Sequence, residues 1–236
     1  GRLTGILVDN AEGLVYSKIP DPDKKQMQES LLDAQKNCFA VGLTSVTDCG
    51  IDHSLVPVID ELQKKDKLKM RIYGMLSDNK GNYDYLFKNG AFKTDRLNIS
   101  SFKVYADGAL GSRGACLLRP YSDKTTSSGF LLKDKEHYAR VAQSIADKGF
   151  QMNTHAIGDS ANREILNVYA KVLKGKNDRR WRIEHAQVVN QADFKLFGDN
   201  NVIPSVQSTH ATSDMYWAED RLGPERVKGA YAFKQL

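Results

Sequence analysis

The strongest constraint on the fold is a set of three short segments, each patterned as a buried β-strand that runs into a loop. In order, they are Ser-Phe-Lys-Val-Tyr-Ala-Asp-Gly (101–108), Gln-Met-Asn-Thr-His-Ala-Ile-Gly-Asp (151–159) and Arg-Ile-Glu-His-Ala-Gln (182–187). A lysine within a buried strand, here Lys103, is unfavourable unless another group engages it. His155 and His185 end the two later strands, so the three segments together predict a polar cluster at one end of a sheet.

Helix and strand patterns alternate along the whole chain. The predicted strands cover 41–48, 69–76, 98–105, 150–155, 181–185 and 202–208. Helices with apolar residues three and four positions apart are predicted at 23–40, 55–62, 82–89, 134–148, 160–175, 191–197 and after Pro224. This alternation is typical of parallel βαβ units, and we predict a single α/β domain over 1–236. The sequence contains no Gly-x-Gly-x-x-Gly or Walker motif, which disfavours a nucleotide-binding sheet.

Composition excludes several other classes. The 34 basic and 29 acidic residues give a net charge of +5 with no long basic tract, which argues against nucleic-acid binding. No apolar run approaches the roughly 20 residues that span a bilayer, so we predict no membrane partner. Three cysteines at unrelated spacings make neither a disulfide framework nor a zinc ribbon. A cytoplasmic location is expected, although any targeting segment would lie upstream of Gly1.

The polar groups gather where catalysis usually occurs in βα barrels. Such barrels carry their chemistry at the C-terminal ends of the strands. Asp48, Lys103, His155, His185 and His210 all lie at or near predicted strand ends. Their shared position favours a functional interior with helices outside.

Several motifs spread over the chain resemble one family. They are Gly5–Ala11, Val41–Gly50, Ala-Asp-Gly-Ala-Leu-Gly-Ser-Arg-Gly-Ala (106–115), His155–Asp159, Arg-Ile-Glu-His-Ala-Gln (182–187) and Val206–Arg226. On these motifs the chain resembles the amidohydrolase superfamily, and within it the amidohydrolase-3 group that includes N-substituted formamide deformylase-like enzymes. The resemblance covers essentially the whole chain.

The resemblance implies a (β/α)8 TIM-barrel metallohydrolase fold and a ligand set. By the family's pattern Lys103 is the carboxylated lysine of strand 4, His155 the ligand of strand 5 and His185 the ligand of strand 6. The sequence has no His-x-His pair of strand 1 and no aspartate of strand 8. We therefore expect an incomplete barrel with about six of the eight strands, the first and last missing. The implied cofactor is a divalent metal, zinc first, with one or two ions in the parent protein and weak or absent binding in this chain.

Each candidate also has a structural explanation. Lys103 could extend to solvent or pair with a buried acid, and His155 and His185 could be ordinary core histidines. Asp107 and Arg113, on the long loop after the 98–105 strand, could contact substrate or order that loop. His210 could polarise a substrate carbonyl or serve packing.

The predicted activity is metal-dependent hydrolysis of C–N bonds in a small-molecule amide, N-acyl or N-formyl substrate, with the chain inactive by itself. Two alternatives stay open. One is a stable fragment without catalysis, and the other is a metal-free barrel enzyme in which Lys103 forms a Schiff base. Exposed sheet edges would further predict a homo-oligomer.

Overall fold

A computed structural model describes residues 4–236. The chain divides into two compact units, Ser17–Lys103 (the 17–103 unit) and Gly1–Tyr16 with Val104–Leu236 (the 104–236 unit). The chain begins with a 3-10 turn at Asp9–Glu12 and a single helical turn, α1 (Gly13–Tyr16). The prediction of one domain over 1–236 stays a prediction.

The 17–103 unit is an α/β arrangement with three parallel strands. Its elements are α2 (Lys24–Ala40), β1 (Ser45–Ile51), α3 (Leu55–Lys64), β2 (Arg71–Ser77), α4 (Lys80–Asn89), β3 (Phe92–Lys93) and β4 (Leu97–Tyr105), whose last two residues belong to the other unit. β2 pairs in parallel with both β1 and β4, and the short β3 pairs antiparallel with β4.

Local sequence signals set the helix starts in this unit. Asp23 caps α2 with a capping box, in which its side chain accepts from Gln26 N and its backbone N–H donates to the Gln26 side chain. Asn79 caps α4 by accepting from the backbone N–H of Asn82. The buried face of α3 carries Val56, Val58, Ile59 and Leu62, at spacings that match one side of a helix.

The 104–236 unit contains the other three parallel strands. Its elements are α5 (Lys135–Asp147), β5 (Gln151–Ala156), α6 (Asp159–Leu173), β6 (Arg182–His185), a 3-10 turn (Gln191–Asp193), α7 (Phe194–Asp199), β7 (Ile203–Ser205), α8 (Ser208–Asp214), α9 (Ala218–Arg226) and a last 3-10 turn (Val227–Gly229). β6 pairs in parallel with β5 and with β7. The backbone N–H of Ala106, just after β4, donates to His155 O in β5.

The long loop after β4, which carries Asp107 and Arg113, packs into the core of the 104–236 unit. It supplies Leu110, Ala115, Leu117 and Tyr121 to a buried apolar cluster that also includes Ile157, Val188, Leu222 and Ala230. The Tyr121 hydroxyl donates to the carbonyl of Ala115 within the same loop. This packing fixes the loop beside the ends of β5 and β6.

The six predicted strands and their α/β alternation are confirmed, with shifts at the boundaries. The first strand begins at Ser45, not at residue 41, because Gly42 (φ +79°) turns the chain after α2. The helix predicted after Pro224 was wrong. α9 ends at Arg226, and Gly223 (φ +75°) interrupts it directly before the proline. The short elements α1, β3 and α8 were not predicted.

The exposed strand β1 and the character of the helices bear on the predicted partners. β1 pairs with β2 alone among the strands described, and most of its residues are exposed. The homo-oligomer through sheet edges stays a prediction. Within residues 4–236, no helix has both the length and the apolar character needed to cross a bilayer.

Candidate metal-binding site

Three histidines of the 104–236 unit lie in contact at the ends of successive strands. His155 is near the end of β5, His185 is the last residue of β6, and His210 lies in α8, after β7. The ring centroids of His155 and His185 are 4.7 Å apart, with the planes at 73°. Those of His185 and His210 are 5.4 Å apart, and the rings are stacked at 14°. The structure therefore brings together the predicted ligands of strands 5 and 6 and the predicted catalytic histidine.

The backbone at the end of β6 is unusual. His185 has φ +75° and Ala186 has φ +42°, a region that residues with a Cβ rarely occupy. Each such residue costs on the order of 1 kcal/mol or more and persists only where surrounding contacts impose it. Strain of this kind concentrates at functional sites, and here it sets the direction in which the His185 ring leaves the strand.

The ring of His185 is oriented by Gln207, whose Oε1 forms a hydrogen bond with Nδ1. When Nδ1 of a neutral imidazole donates a proton, the lone pair lies on Nε2. Metal-ligating histidines are commonly oriented by a partner at the other ring nitrogen. The contact with Gln207 is consistent with a ligand that coordinates through Nε2.

His155 lies against the start of the loop that follows β4. Its Nε2 atom is 3.5 Å from Asp107 Oδ1 and 3.5 Å from the carbonyl oxygen of Gly108. The Tyr105 ring lies 5.4 Å from the His155 ring, centroid to centroid. His155 is mostly buried, so its environment is partly shielded from solvent.

Asp107 is a buried carboxylate held by backbone N–H groups. It accepts from Cys116 N (2.8 Å), Ile157 N (2.9 Å) and Gly158 N (2.8 Å). Burial raises the pKa of Asp107 to about 7, because the three N–H donors offset only part of the desolvation cost. These contacts tie the loop after β4 to the loop after β5. The predicted catalytic role of Asp107 stays a prediction beside this structural one.

Lys103 lies on β4 in the 17–103 unit and is only 2% exposed. Burial disfavours an ammonium ion and favours the neutral amine that carboxylation requires. The buried position matches the strand pattern that singles out Lys103 in the sequence. Its convergence with the two histidines on one ion stays a prediction.

Arg113 makes an ion pair inside its own loop. Its Nε and Nη2 atoms donate to the two carboxylate oxygens of Asp123, at 3.1 and 2.8 Å. Asp123 also pairs with Arg221. These contacts match the loop-ordering alternative, while a substrate contact of Arg113 stays a prediction.

His210 is connected to a polar network that the sequence patterns did not predict. Its Nδ1 atom lies 3.1 Å from Gln187 Oε1. The amide nitrogen of Gln187 donates to Asp214 Oδ2 (2.9 Å) and to the Tyr231 hydroxyl (3.1 Å). Gln187 ends the motif at 182–187 and Asp214 lies within the motif Val206–Arg226, whereas Tyr231 lies outside every motif. Burial raises the pKa of Tyr231, so the hydroxyl keeps its proton at neutral pH.

The candidate ligands are of the chemical type that zinc prefers, but the described residues provide fewer of them than a zinc site uses. Imidazole nitrogens are preferred zinc ligands, and a structural or catalytic site uses three or four protein ligands. Among residues 4–236, no group of three or more His, Cys, Asp or Glu side chains is arranged to hold a metal ion. Within the 104–236 unit, the described residues thus supply two adjoining imidazoles, His155 and His185, which is a partial ligand set.

Comparison with known proteins identifies related sequences. The model of the amidohydrolase family matches residues 1–236. The protein LONG AFTER FAR-RED 3 of Arabidopsis thaliana is 31% identical over 100% of this chain and 43% of its own length. The putative amidohydrolase YtcJ of Bacillus subtilis (strain 168) is 30% identical over 100% of this chain and 45% of its own length. The chain thus spans less than half the length of these curated relatives.

Two solved structures are similar to this chain. The uncharacterized metal-dependent hydrolase from Pyrococcus horikoshii OT3 has a TM-score of 0.81 and 28% identity, over 96% of this chain and 45% of that one. The corresponding hydrolase from Pyrococcus furiosus has a TM-score of 0.81 and 29% identity, over 95% and 46%. With the six parallel strands, these similarities confirm the prediction of an incomplete (β/α)8 metallohydrolase fold.

Proposed function

Because the chain belongs to the amidohydrolase family, we propose that it forms part of a metal-dependent hydrolase that cleaves C–N bonds of non-peptide amides, with N-acyl or N-formyl compounds as substrates. The observation that carries the proposal is the contact between His155 and His185 at the C-terminal ends of β5 and β6. In a βα barrel this is the end at which catalysis takes place.

The residues proposed to hold the metal are Lys103, His155 and His185. Gln207 orients His185 at Nδ1, and the buried position of Lys103 favours the neutral amine needed for carboxylation. When bound, the metal would polarise a carbonyl and lower the pKa of a water molecule towards neutrality. Asp107 holds the loops that follow β4 and β5 against each other, which keeps His155 in place.

We further propose that the 236-residue chain binds metal weakly or not at all and has no amidase turnover by itself. The described residues contain no group of three or more conventional ligands arranged around one point. A hydrolytic site needs such a group, an open position for water and a base. The longer protein that supplies the remaining groups should be active.

A metal-free enzyme in which Lys103 forms a Schiff base is the alternative mechanism. The burial of Lys103 is compatible with it, since a neutral amine is also the nucleophile for imine formation. This alternative assigns no role to the adjoining imidazoles, so the hydrolase explains more of the site. Borohydride reduction in the presence of a carbonyl substrate would trap a Lys103 adduct only under the alternative.

The first test is zinc binding by equilibrium dialysis of a longer protein that includes this chain, and of its variants. His155→Gln and His185→Gln should each weaken binding at least about tenfold relative to the unmodified longer protein. The matched control is His137→Gln, since His137 lies on α5 and no ligand role is assigned to it. Equal zinc affinity of the unmodified longer protein and both ligand variants would contradict the metal assignment.

The second test is activity. The chain and a longer protein that includes it should be assayed against a panel of N-acyl and N-formyl amides with added zinc. We expect turnover only in the longer protein, and loss of that turnover in its His185→Gln variant. Comparable turnover by the 236-residue chain would refute the proposed inactivity, and no hydrolysis of any amide by the longer protein would refute the C–N substrate class.

A further inference from the structure

The side chain of Gln187 is buried in a network that fixes the orientation of its amide. Gln187 is 4% exposed and contacts His210, Asp214 and Tyr231 at once. The Tyr231 hydroxyl also donates to Asp214 Oδ2, at 2.9 Å. All four side chains belong to the 104–236 unit.

Donor and acceptor chemistry allows one assignment of these contacts. An ionised carboxylate accepts only, so the Gln187 atom that faces Asp214 must be the NH2 group. The remaining amide atom, Oε1, accepts only and faces Nδ1 of His210. Nδ1 must therefore carry a proton, and a neutral His210 has its lone pair on Nε2.

Backbone contacts prevent the network from reorienting as a whole. The N–H of Tyr231 donates to the carbonyl of Gln187 (2.8 Å), and Val189 N donates to Gly229 O (2.9 Å). Val188 and Ala230 form an antiparallel bridge between these two contacts. At Gly229 a Cβ atom would lie 2.3 Å from Val189 O, so the close approach of the two segments depends on this glycine.

We propose that Gln187, held by Asp214 and Tyr231, is a positioning residue that keeps neutral His210 protonated on Nδ1, so that Nε2 presents an acceptor. The inference rests on the proposed function for its catalytic meaning. An imidazole polarises a carbonyl by donating a hydrogen bond to its oxygen, so Nε2 of neutral His210 does not polarise the substrate carbonyl. Its Nε2 can instead accept a hydrogen bond from an N–H or O–H group of a substrate.

The test is nitrogen-15 NMR of the histidine rings in the metal-free chain, recorded under alkaline conditions where histidines are neutral. His210 is assigned by comparison with His210→Gln. We expect a protonated-type signal for Nδ1 and an unprotonated-type signal for Nε2. The Nδ1–H tautomer should exceed the Nε2–H tautomer by at least about fivefold. In the Nε2–H tautomer, Nδ1 of His210 and Oε1 of Gln187 would face each other as two acceptors.

Three variants separate positioning from a merely structural role. Gln187→Met removes the acceptor, so the preference for Nδ1–H should disappear. Asp214→Asn can present a donor or an acceptor to Gln187. The Gln187 amide can then flip, which should give a mixture of the two His210 tautomers. Tyr231→Phe leaves the contact between Asp214 and the amide, so Nδ1–H should persist.

An Nε2–H signal in the unmodified chain, or an unchanged tautomer in both Gln187→Met and Asp214→Asn, overturns the inference. Loss of fold in one variant leaves the other and the unmodified chain as tests. The readout needs neither metal nor substrate, so it is separate from the proposed function. If His210 carries its proton on Nδ1 but the longer protein hydrolyses no amide, only the proposed function is contradicted. If the longer protein hydrolyses an amide but His210 carries its proton on Nε2, only this inference is contradicted.

Discussion

Replacement of Gly158 by alanine tests how the end of β5 is held in place. Gly158 follows His155 by three residues and has ordinary extended backbone angles, φ −77° and ψ 153°. Glycine is therefore required at this position by the lack of space for a side chain, and not by the backbone angles. A Cβ atom there would lie 2.0 Å from the carbonyl oxygen of Cys116 and 2.5 Å from the carbonyl carbon. Both are rigid backbone atoms, so the clash cannot be relieved by a rotamer change.

The loss of stability in Gly158→Ala follows from the distance by which the backbone at Gly158 and at Cys116 must move apart. Ordinary contact begins near 3.4 Å, so Gly158 and Cys116 must separate by more than roughly 1 Å. The hydrogen bond from Gly158 N to Asp107, now 2.8 Å, lies outside the normal range after such a shift. Overpacking costs about 1–3 kcal/mol, and loss of a bond to a buried carboxylate costs about 1.5–3 kcal/mol. We expect Gly158→Ala to lower the free energy of unfolding by about 2.5–6 kcal/mol.

The assay is urea unfolding followed by circular dichroism, with Gly198→Ala as the matched control. Gly198 lies within α7, its φ is not positive, and a Cβ atom added to it would meet no heavy atom within 4 Å. Alanine there should be neutral or stabilise by up to about 1 kcal/mol. If Gly158→Ala is as stable as the Gly198→Ala control, the close approach of Cys116 to the loop after β5 is wrong.

Two further predictions concern stability. The Lys24 and Lys65 ammonium groups, both 2.6 Å from Glu61, lower the pKa of Glu61 from an ordinary 4.5 to about 2. A lowered carboxyl pKa adds stability above the unfolded value that is lost as pH falls through the folded one. At pH 7, Glu61→Gln should therefore unfold at a lower urea concentration than the unmodified chain. This difference in urea midpoint should disappear between pH 4.5 and about 2. A difference independent of pH would contradict the ion pairs. Trp181 is fully buried, and its Nε1 donates to Phe150 O at 3.0 Å. Trp181→Phe leaves a cavity and removes the hydrogen bond to Phe150 O, so we expect a loss of about 2–4 kcal/mol in the same urea assay. A loss under about 1 kcal/mol would contradict this role.

The sequence predicted the order of the large elements because their signals are local. Apolar residues three and four apart mark α3 and α5, and short apolar runs mark β2, β4 and β5. Boundaries and short elements depend on less local effects. The final helix was misplaced because Pro224 resembles a helix start, whereas Gly223 breaks a helix that had begun at Ala218. β3 has two residues and exists only because β4 offers it a partner.

The candidate site was predictable where strand position alone decides it. His155 and His185 end adjacent parallel strands, so topology brings both positions to the same end of the sheet. Alternation does not predict the ring contact, because His155 pairs with Glu184 and His185 with Ala156. The contact depends on the irregular backbone at His185, with φ +75°. The support for these rings was not predictable. Gln207 comes from the segment after β7, and Tyr231 lies 44 residues beyond Gln187 in the chain. Contacts over such separations arise from tertiary packing, which no pattern within one segment encodes.

The backbone of Ala186 allows the strain at the end of β6 to be measured. Ala186 is buried with φ +42°, and Ala161 is buried within α6. Either alanine-to-glycine change loses a methyl group, worth about 0.8 kcal/mol, and adds unfolded-chain entropy, worth about 0.5–1 kcal/mol. Ala161→Gly should therefore destabilise by about 1–2 kcal/mol. At Ala186 glycine also relieves a positive φ worth about 1–2 kcal/mol, so Ala186→Gly should be nearly neutral in urea unfolding. Equal losses for the two variants would mean that the end of β6 is unstrained, and that the direction of the His185 ring is set by its side-chain contacts alone.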